Sequence, residues 1–277
     1  MKFKQANNLP TAFLSDSEAR HYIEARSQYQ YPKAYLEKAS AQQHDIALSG
    51  TLFGRFVVCP ASNTDLSLDD YHHQLLNAND PADRLLGLAS VIYWGYFTFG
   101  DAYARNRVDW FINGHQAQPP TTASLAHAHT TRALHHLTTL NMAQALHALN
   151  GLSQLSRTPF ASKVIAFMAP SVAGIYDNRI ATGLASASWA SGLSSGIGQI
   201  HSSRVQHCYQ SWCLYLSQVA SHLNLGIGLG KPWQWSCGKD QGQAWRALDV
   251  ERAFFALYGM GDRRNPENPH SALERPE

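Results

Sequence analysis

Asp80-Pro81-Ala82-Asp83 is the feature that most restricts how this chain folds. A capping acid, a proline at the first helical position and a second acid in the first turn commit the following residues to a helix. Leu85, Leu88, Ile92, Tyr96, Phe99 and Tyr103 then recur at three- and four-residue steps. That spacing predicts one long helix with one buried apolar face. Helical periodicity resumes at Leu125, after a proline-containing loop over 116–122, and again after Asn141. Gly151 ends this stretch in the position of a left-handed cap. Short helices are predicted from Lys163 to Met168, stopped before Pro170, and from Asp177 to about Ala187. Val205, Cys208, Trp212, Tyr215, Val219 and Leu223 mark a long amphipathic helix stopped at Gly226. A last helix spans 243–258 and ends at Gly259.

Before residue 80 the pattern is mixed. Thr51-Leu-Phe-Gly-Arg-Phe-Val-Val-Cys59 reads as a strand, rich in aromatic and β-branched residues. Ser67 caps a short helix running through Leu76. The tail from Asp262 to Glu277 has three prolines and almost no large apolar residue, so disorder is expected there. The chain thus divides into a mixed α/β part over 1–80, a helical domain over 81–261 and a disordered tail over 262–277. The fold class is mostly α with a small β-containing N-terminal part.

A chain of 277 residues is long enough for a proper core. No run approaches the ~18 apolar residues of a membrane span, and the start lacks the apolar centre of a signal peptide. The expectation is a cytoplasmic protein with no membrane partner. The four cysteines are too few and too scattered for a disulfide framework. Cys208 and Cys213 point about 140° apart on one helix, a poor arrangement for sharing a metal. The fourteen histidines include no His-Glu-x-x-His pair, so no metal site is expected. Gly226-Ile-Gly-Leu-Gly-Lys231 follows a helix rather than a strand, which excludes a nucleotide phosphate loop. A net charge of +2 permits nucleic-acid binding without arguing for it.

Chemistry is concentrated in the strip from Ser156 to Ile180. Lys163 and Asp177 stand fourteen residues apart, separated by a turn containing Pro170 and Gly174, which can bring two neighbouring helix starts together. A carboxylate stabilises the positive charge that builds on a sugar as its glycosidic bond breaks. An amine of lowered pKa attacks the anomeric carbon instead and forms a Schiff base. On spacing alone, Asp177 also reads as a helix cap and Lys163 as a solvated lysine.

Three segments resemble helix-hairpin-helix DNA glycosylases, in particular the 8-oxoguanine DNA glycosylase-like branch. They are Arg84-Leu-Leu-Gly-Leu-Ala-Ser-Val-Ile-Tyr-Trp-Gly95, the strip from Ser162-Lys163 to Tyr176-Asp177-Asn-Arg179, and Ala247-Leu-Asp-Val-Glu-Arg-Ala-Phe-Phe255. The resemblance implies a helix-hairpin-helix glycosylase-like fold, with Asp177 as the carboxylate of base release and Lys163 as the Schiff-base lysine. Two features depart from the family. The glycine-rich Leu-Pro-Gly-Val-Gly hairpin is replaced by Ser156-Arg-Thr-Pro-Phe-Ala-Ser162, and the lysine-to-aspartate interval is shorter.

The implied activity is excision of a modified base from double-stranded DNA, leaving an abasic site, with strand cleavage as an accompanying step and no small-molecule cofactor. Oxidised guanine (repair) and a bulky phage-type modified cytosine (antiviral defence) are the two substrate classes. Such an enzyme flips the base out and holds it by stacking and edge contacts. Trp94, Tyr93 and Tyr176 are the candidate pocket aromatics, with Tyr96 and Phe99 assigned to the core. Arg157, Ser162 and Arg179 are the candidate DNA contacts. A non-catalytic DNA-binding module on the same scaffold and a helical protein-interaction domain are the alternatives.

Overall fold

The structure, a computed structural model, describes residues 14–59, 64–186, 190, 193–226 and 230–259. Among them are ten α-helices and five strands. The tail over 262–277 and residues 227–229 lie outside the described residues, as does Ala187.

α1 (Asp16–Gln28) opens on a capping box in which Ser15 and Glu18 bond each other's backbone amides. It has no counterpart in the sequence reading. β1 (Ala34–Ala39), β2 (Ile46–Ser49) and β3 (Leu52–Val58) form an antiparallel sheet in the order β1-β3-β2. β3 is the strand expected from the aromatic and β-branched run. Leu36, Leu48 and Leu52 turn inward, and the Leu36 amide donates to the Ser90 hydroxyl at 3.0 Å. The sheet is thereby fastened to the centre of the molecule.

α2 (Asp65–Leu76) is capped three residues earlier than expected: Thr64 is the cap, and Ser67, the third helical residue, is its capping-box partner. α3 (Pro81–Tyr96) begins on Asp80, which accepts from the Ala82 amide at 2.9 Å. Every residue of α3 from Arg84 to Gly95 is buried, so it is the central helix rather than an amphipathic one. It also ends sooner than the spacing predicts. A single 3₁₀ turn covers Phe97–Phe99, and Gly100 adopts φ 110°, a conformation that favours glycine. α4 (Asp101–Asn113) then leaves in a new direction. Phe99 and Tyr103 consequently sit at the surface, 57% and 39% exposed, and not on a buried stripe.

α5 (Ala123–Thr138) and α6 (Met142–Ala148) lead through a series of turns to α7 (Thr158–Met168). α8 (Asn178–Ser186) and α9 (Ser203–Leu225) follow, α9 closed by a left-handed Gly226 as expected. β4 (Trp235–Cys237) and β5 (Asp240–Gln243) form a small hairpin where the sequence predicted the start of the last helix. That helix, α10 (Ala247–Gly259), begins four residues later.

A buried ionic network holds α1, α2 and α10 together. Arg26 reaches Asp65 at 3.0 Å and Asp249 at 3.3 Å. Asp69 is gripped by Arg252 at 2.5 Å and Arg246 at 2.6 Å, and Arg246 also holds Asp249 at 2.7 Å. The Arg26 guanidinium lies 3.9 Å from the Trp235 ring, which ties the hairpin in as well. No helix among the described residues is long and apolar enough to cross a membrane.

Removing one member strands the others without water, so Asp69→Ala is expected to cost about 3–5 kcal/mol in urea unfolding. The exposed Lys38–Asp83 pair at 3.4 Å serves as control, with Lys38→Ala costing under about 1 kcal/mol. Equal losses would refute the network's role. Burial pushes the Asp65 and Asp249 carboxyls up, but the surrounding guanidiniums more than reverse this and hold both below 3.8. Their contribution is therefore complete above pH 3.8 and lost as pH falls through the lower folded values.

Candidate active site

Why α7 starts at Thr158 determines where Lys163 lies. Thr158 donates its hydroxyl to the Gly196 carbonyl at 2.9 Å and its amide to the Gly198 carbonyl at 3.0 Å. Pro159 occupies the first turn, where a missing N–H costs nothing. Lys163 is thus in the second turn of a helix longer than expected, not at its start. The side chain is only 6% exposed, and its ammonium group donates back to the Pro159 carbonyl at 3.2 Å.

The chain returns along α7 over residues 169–176. Ser162 pins it: its hydroxyl accepts from the Tyr176 amide at 3.0 Å and donates to the Tyr176 carbonyl at 3.3 Å. The Trp212 indole donates to the Ile175 carbonyl at 2.9 Å, fixing the loop to α9. Gly174 passes so close that a Cβ there would lie 2.3 Å from Leu216 and 3.0 Å from Glu251. Asp177 then caps α8, one carboxylate oxygen accepting from the Arg179 and Ile180 amides at 3.0 Å each. Its other oxygen bonds none of the described residues.

α10 brings a residue that the sequence reading did not single out. Glu251 is 2% exposed, and one of its carboxylate oxygens has no hydrogen-bond partner. Burial, and then the nearby Asp177 carboxylate, push its carboxyl well above 4.5. Burial pushes the Lys163 amine below 10.5, against the opposing pull of Asp177 and Glu251. Three ionisable groups therefore lie within electrostatic reach of one another, with no ion pair between Lys163 and either acid, an arrangement found at reactive sites.

Aromatic rings pack beside these groups. Tyr31, from the loop between α1 and β1, lies 4.6 Å from the Trp94 ring and 6.4 Å from Phe255, one helical turn beyond Glu251. Burial pushes the Tyr31 hydroxyl up to about 12, with Asp177, Arg179 and Glu251 in its surroundings. Trp94 is 1% exposed, and its indole N–H has no partner. Arg179 is exposed, with its guanidinium 5.2 Å from the Phe255 ring.

The structure thus brings Lys163, Asp177, Trp94 and Arg179 together, and adds Glu251, Tyr31 and Phe255. Three expected site residues are placed elsewhere. Tyr93 is fully buried on another side of α3, bonded to Asp101 at 2.6 Å and packed on Phe56, because neighbouring helical residues point ~100° apart. Tyr176 is fully buried and its hydroxyl donates to the Leu193 carbonyl. Ser162 is fully buried and bonded to the returning loop, so it presents nothing to DNA. Arg157, just before α7, is exposed and pairs with no carboxylate among the described residues.

One signal for Glu251 was present in the sequence: an acid four residues before Phe255, on the same side of the helix. Tyr31 gave none, since it reaches the site from another part of the chain. Among the described residues no cluster of His, Cys, Asp and Glu is arranged to hold a metal. Compared with models of protein families, with curated proteins and with solved structures, the chain matches none.

Glu251→Gln is expected to stabilise the fold, and to do so more as pH rises. The unfolded carboxyl ionises above 4.5 while the buried one resists, so native Glu251 forfeits about 1.4 kcal/mol per pH unit up to its folded pKa. Thermal unfolding of both proteins should coincide near pH 4 and diverge by pH 8, glutamine higher. A stability difference between variant and native no larger at pH 8 than at pH 4 would contradict this account of Glu251.

Proposed function

We propose that this protein is a DNA glycosylase of the helix-hairpin-helix type that excises a modified base and leaves an abasic site. The observation that carries the reading is the buried Lys163 amine, in no ion pair among the described residues and within electrostatic reach of Asp177, one of whose carboxylate oxygens bonds none of the described residues. Desolvation favours the neutral, nucleophilic form of such an amine. The free Asp177 oxygen is suited to stabilise positive charge developing on a deoxyribose.

In the hydrolytic course, water adds to C1′ as the glycosidic bond breaks, and the base departs with the bonding pair and gains a proton. In the lyase course, the Lys163 nitrogen bonds to C1′ as the base departs with the bonding pair and takes a proton from that nitrogen. The C1′–O4′ bond then opens, O4′ takes up a proton, and the nitrogen lone pair completes the C=N bond of a protonated Schiff base. Tyr31, Trp94 and Phe255 supply aromatic surface for an extruded base. The unpartnered Trp94 N–H and Glu251 oxygen are a donor and an acceptor for its edge.

The turns joining α6 to α7 support the hairpin part of the reading. Gly151 has φ 100° and Gln154 φ 64°, so left-handed positions occur without the family's glycine-rich sequence. Turns of this kind expose successive backbone amides that can receive a phosphate. Arg157 and Arg179 flank the site as candidate phosphate contacts. Oxidised guanine and a bulky modified cytosine both remain as substrate classes, in repair or antiviral defence respectively.

Mass spectrometry of bases released from undamaged DNA, oxidised DNA and phage DNA with glucosylated hydroxymethylcytosine tests the proposal. Release of one modified base is expected, reduced on the order of 10²–10³-fold in Asp177→Asn. Borohydride should trap a protein–DNA adduct that Lys163→Gln abolishes, if the lyase course operates. Silence across the panel would favour a non-catalytic DNA-binding role, and full activity in Asp177→Asn would remove that residue from the mechanism.

A further inference from the structure

We propose that the aromatic and arginine surface spread over the break between α3 and α4 binds an unpaired DNA strand by stacking its bases. The inference goes beyond base excision and uses neither Lys163 nor Asp177.

The surface begins beside the candidate active site and runs away from it. Phe160, whose ring lies 5.0 Å from the Lys163 ammonium, stacks on Tyr96 at 4.0 Å with the planes 22° apart. Tyr96 meets Tyr103 at 5.6 Å and Phe99 at 6.3 Å. The Arg107 guanidinium then lies over three rings: Tyr103 at 4.7 Å, Tyr96 at 5.0 Å and Trp110 at 4.5 Å. Trp110 stacks in turn on His115 at 4.0 Å, the planes only 11° apart.

Phe99 and Tyr103 are exposed, and Tyr96, Phe160, Trp110, His115 and Arg107 are half-buried behind them; exposed rings beside arginine suit a single strand. Every base has a π-face, so stacking is tolerant of sequence, while cations follow the phosphates. Bases in a duplex already stack on each other and offer no such face. Charge also distinguishes a nucleic acid from an apolar protein partner. Among the described residues neither Arg107 nor Arg157 has a carboxylate partner, and Arg107 bonds only the Gln154 side chain and the Tyr103 hydroxyl. The neighbouring acids are engaged elsewhere: Asp109 accepts from Asn113 at 2.7 Å, and Asp101 is held by Arg105 and Tyr93. The contact between Arg107 and Gln154 makes this surface continuous with the turns between α6 and α7.

The test is fluorescence anisotropy with a labelled oligothymidylate of about a dozen nucleotides, and with the same strand in a duplex, over a salt series. The native protein should bind the single strand more tightly than the unmodified duplex. Phe99→Ala with Tyr103→Ala should weaken single-strand binding by more than about 10-fold while leaving its salt dependence unchanged. Arg107→Gln should lower the salt slope by roughly 0.7. Both rings are exposed, so the double variant should keep its thermal unfolding midpoint, and a lost midpoint moves the measurement to Phe99→Ser alone. No single-strand affinity at low salt, or affinity that the aromatic variants leave intact, would overturn the proposal. The glycosylase reading fails separately: single-strand affinity with no base released from any substrate would sink that reading and leave this one standing.

Discussion

Six charged side chains sealed between α1, α2 and α10 decide where the candidate site can form. Burying Arg26, Asp65, Asp69, Arg246, Asp249 and Arg252 strips them of water, a loss offset only when every carboxylate meets more than one cation. Each does: Asp65 has Arg26 and Lys33, Asp69 has Arg246 and Arg252, and Asp249 has Arg26 and Arg246. Such a network tolerates a single register. Turning α10 by one residue, ~100°, would leave several charges unpaired in the interior. Asp249 and Arg252 therefore fix which side of α10 faces α7 and α8, and that side carries Glu251 and Phe255.

One helix thus has two electrostatic faces. Toward α1 and α2 its charges are paired and hold the fold together. Toward Lys163 and Asp177 it presents Glu251, whose unpartnered oxygen serves no structural need. On one side each buried carboxylate of the network meets two cations, while on the other a Glu251 oxygen and the Trp94 indole N–H have no hydrogen-bond partner. Violations of that kind mark functional sites more often than structural ones.

Helices with strong boundary chemistry were legible in the sequence. The Asp80-Pro81 start of α3 and the Gly226 stop of α9 follow from capping and backbone geometry alone, without reference to the rest of the molecule. The break at Gly100 was not legible, because the apolar spacing from Leu85 to Tyr103 continues across it. Periodicity reports which residues are apolar and cannot tell a buried ring from one held at the surface. The early start of α7 was hidden for a different reason: it depends on Thr158 bonding residues about forty positions away. Tyr31 and Glu251 were missed for the same cause. Lys163 and Asp177 were visible because they lie within one short strip, while their neighbours converge from opposite ends of the chain.

Gly174 links these levels. The short span between Lys163 and Asp177 leaves the returning loop one narrow way back, between Leu216 of α9 and Glu251 of α10. Only a residue without a side chain passes there, since a Cβ would sit 2.3 Å from Leu216. The loop must then run against α10, which carries Asp177 into the field of Glu251 and Lys163. A bulkier residue would displace Leu216 or Glu251, and with Glu251 the face that the ionic network holds in register. The approach of a second carboxyl to the site thus follows from the shortness of the strip and the close passage that Gly174 permits.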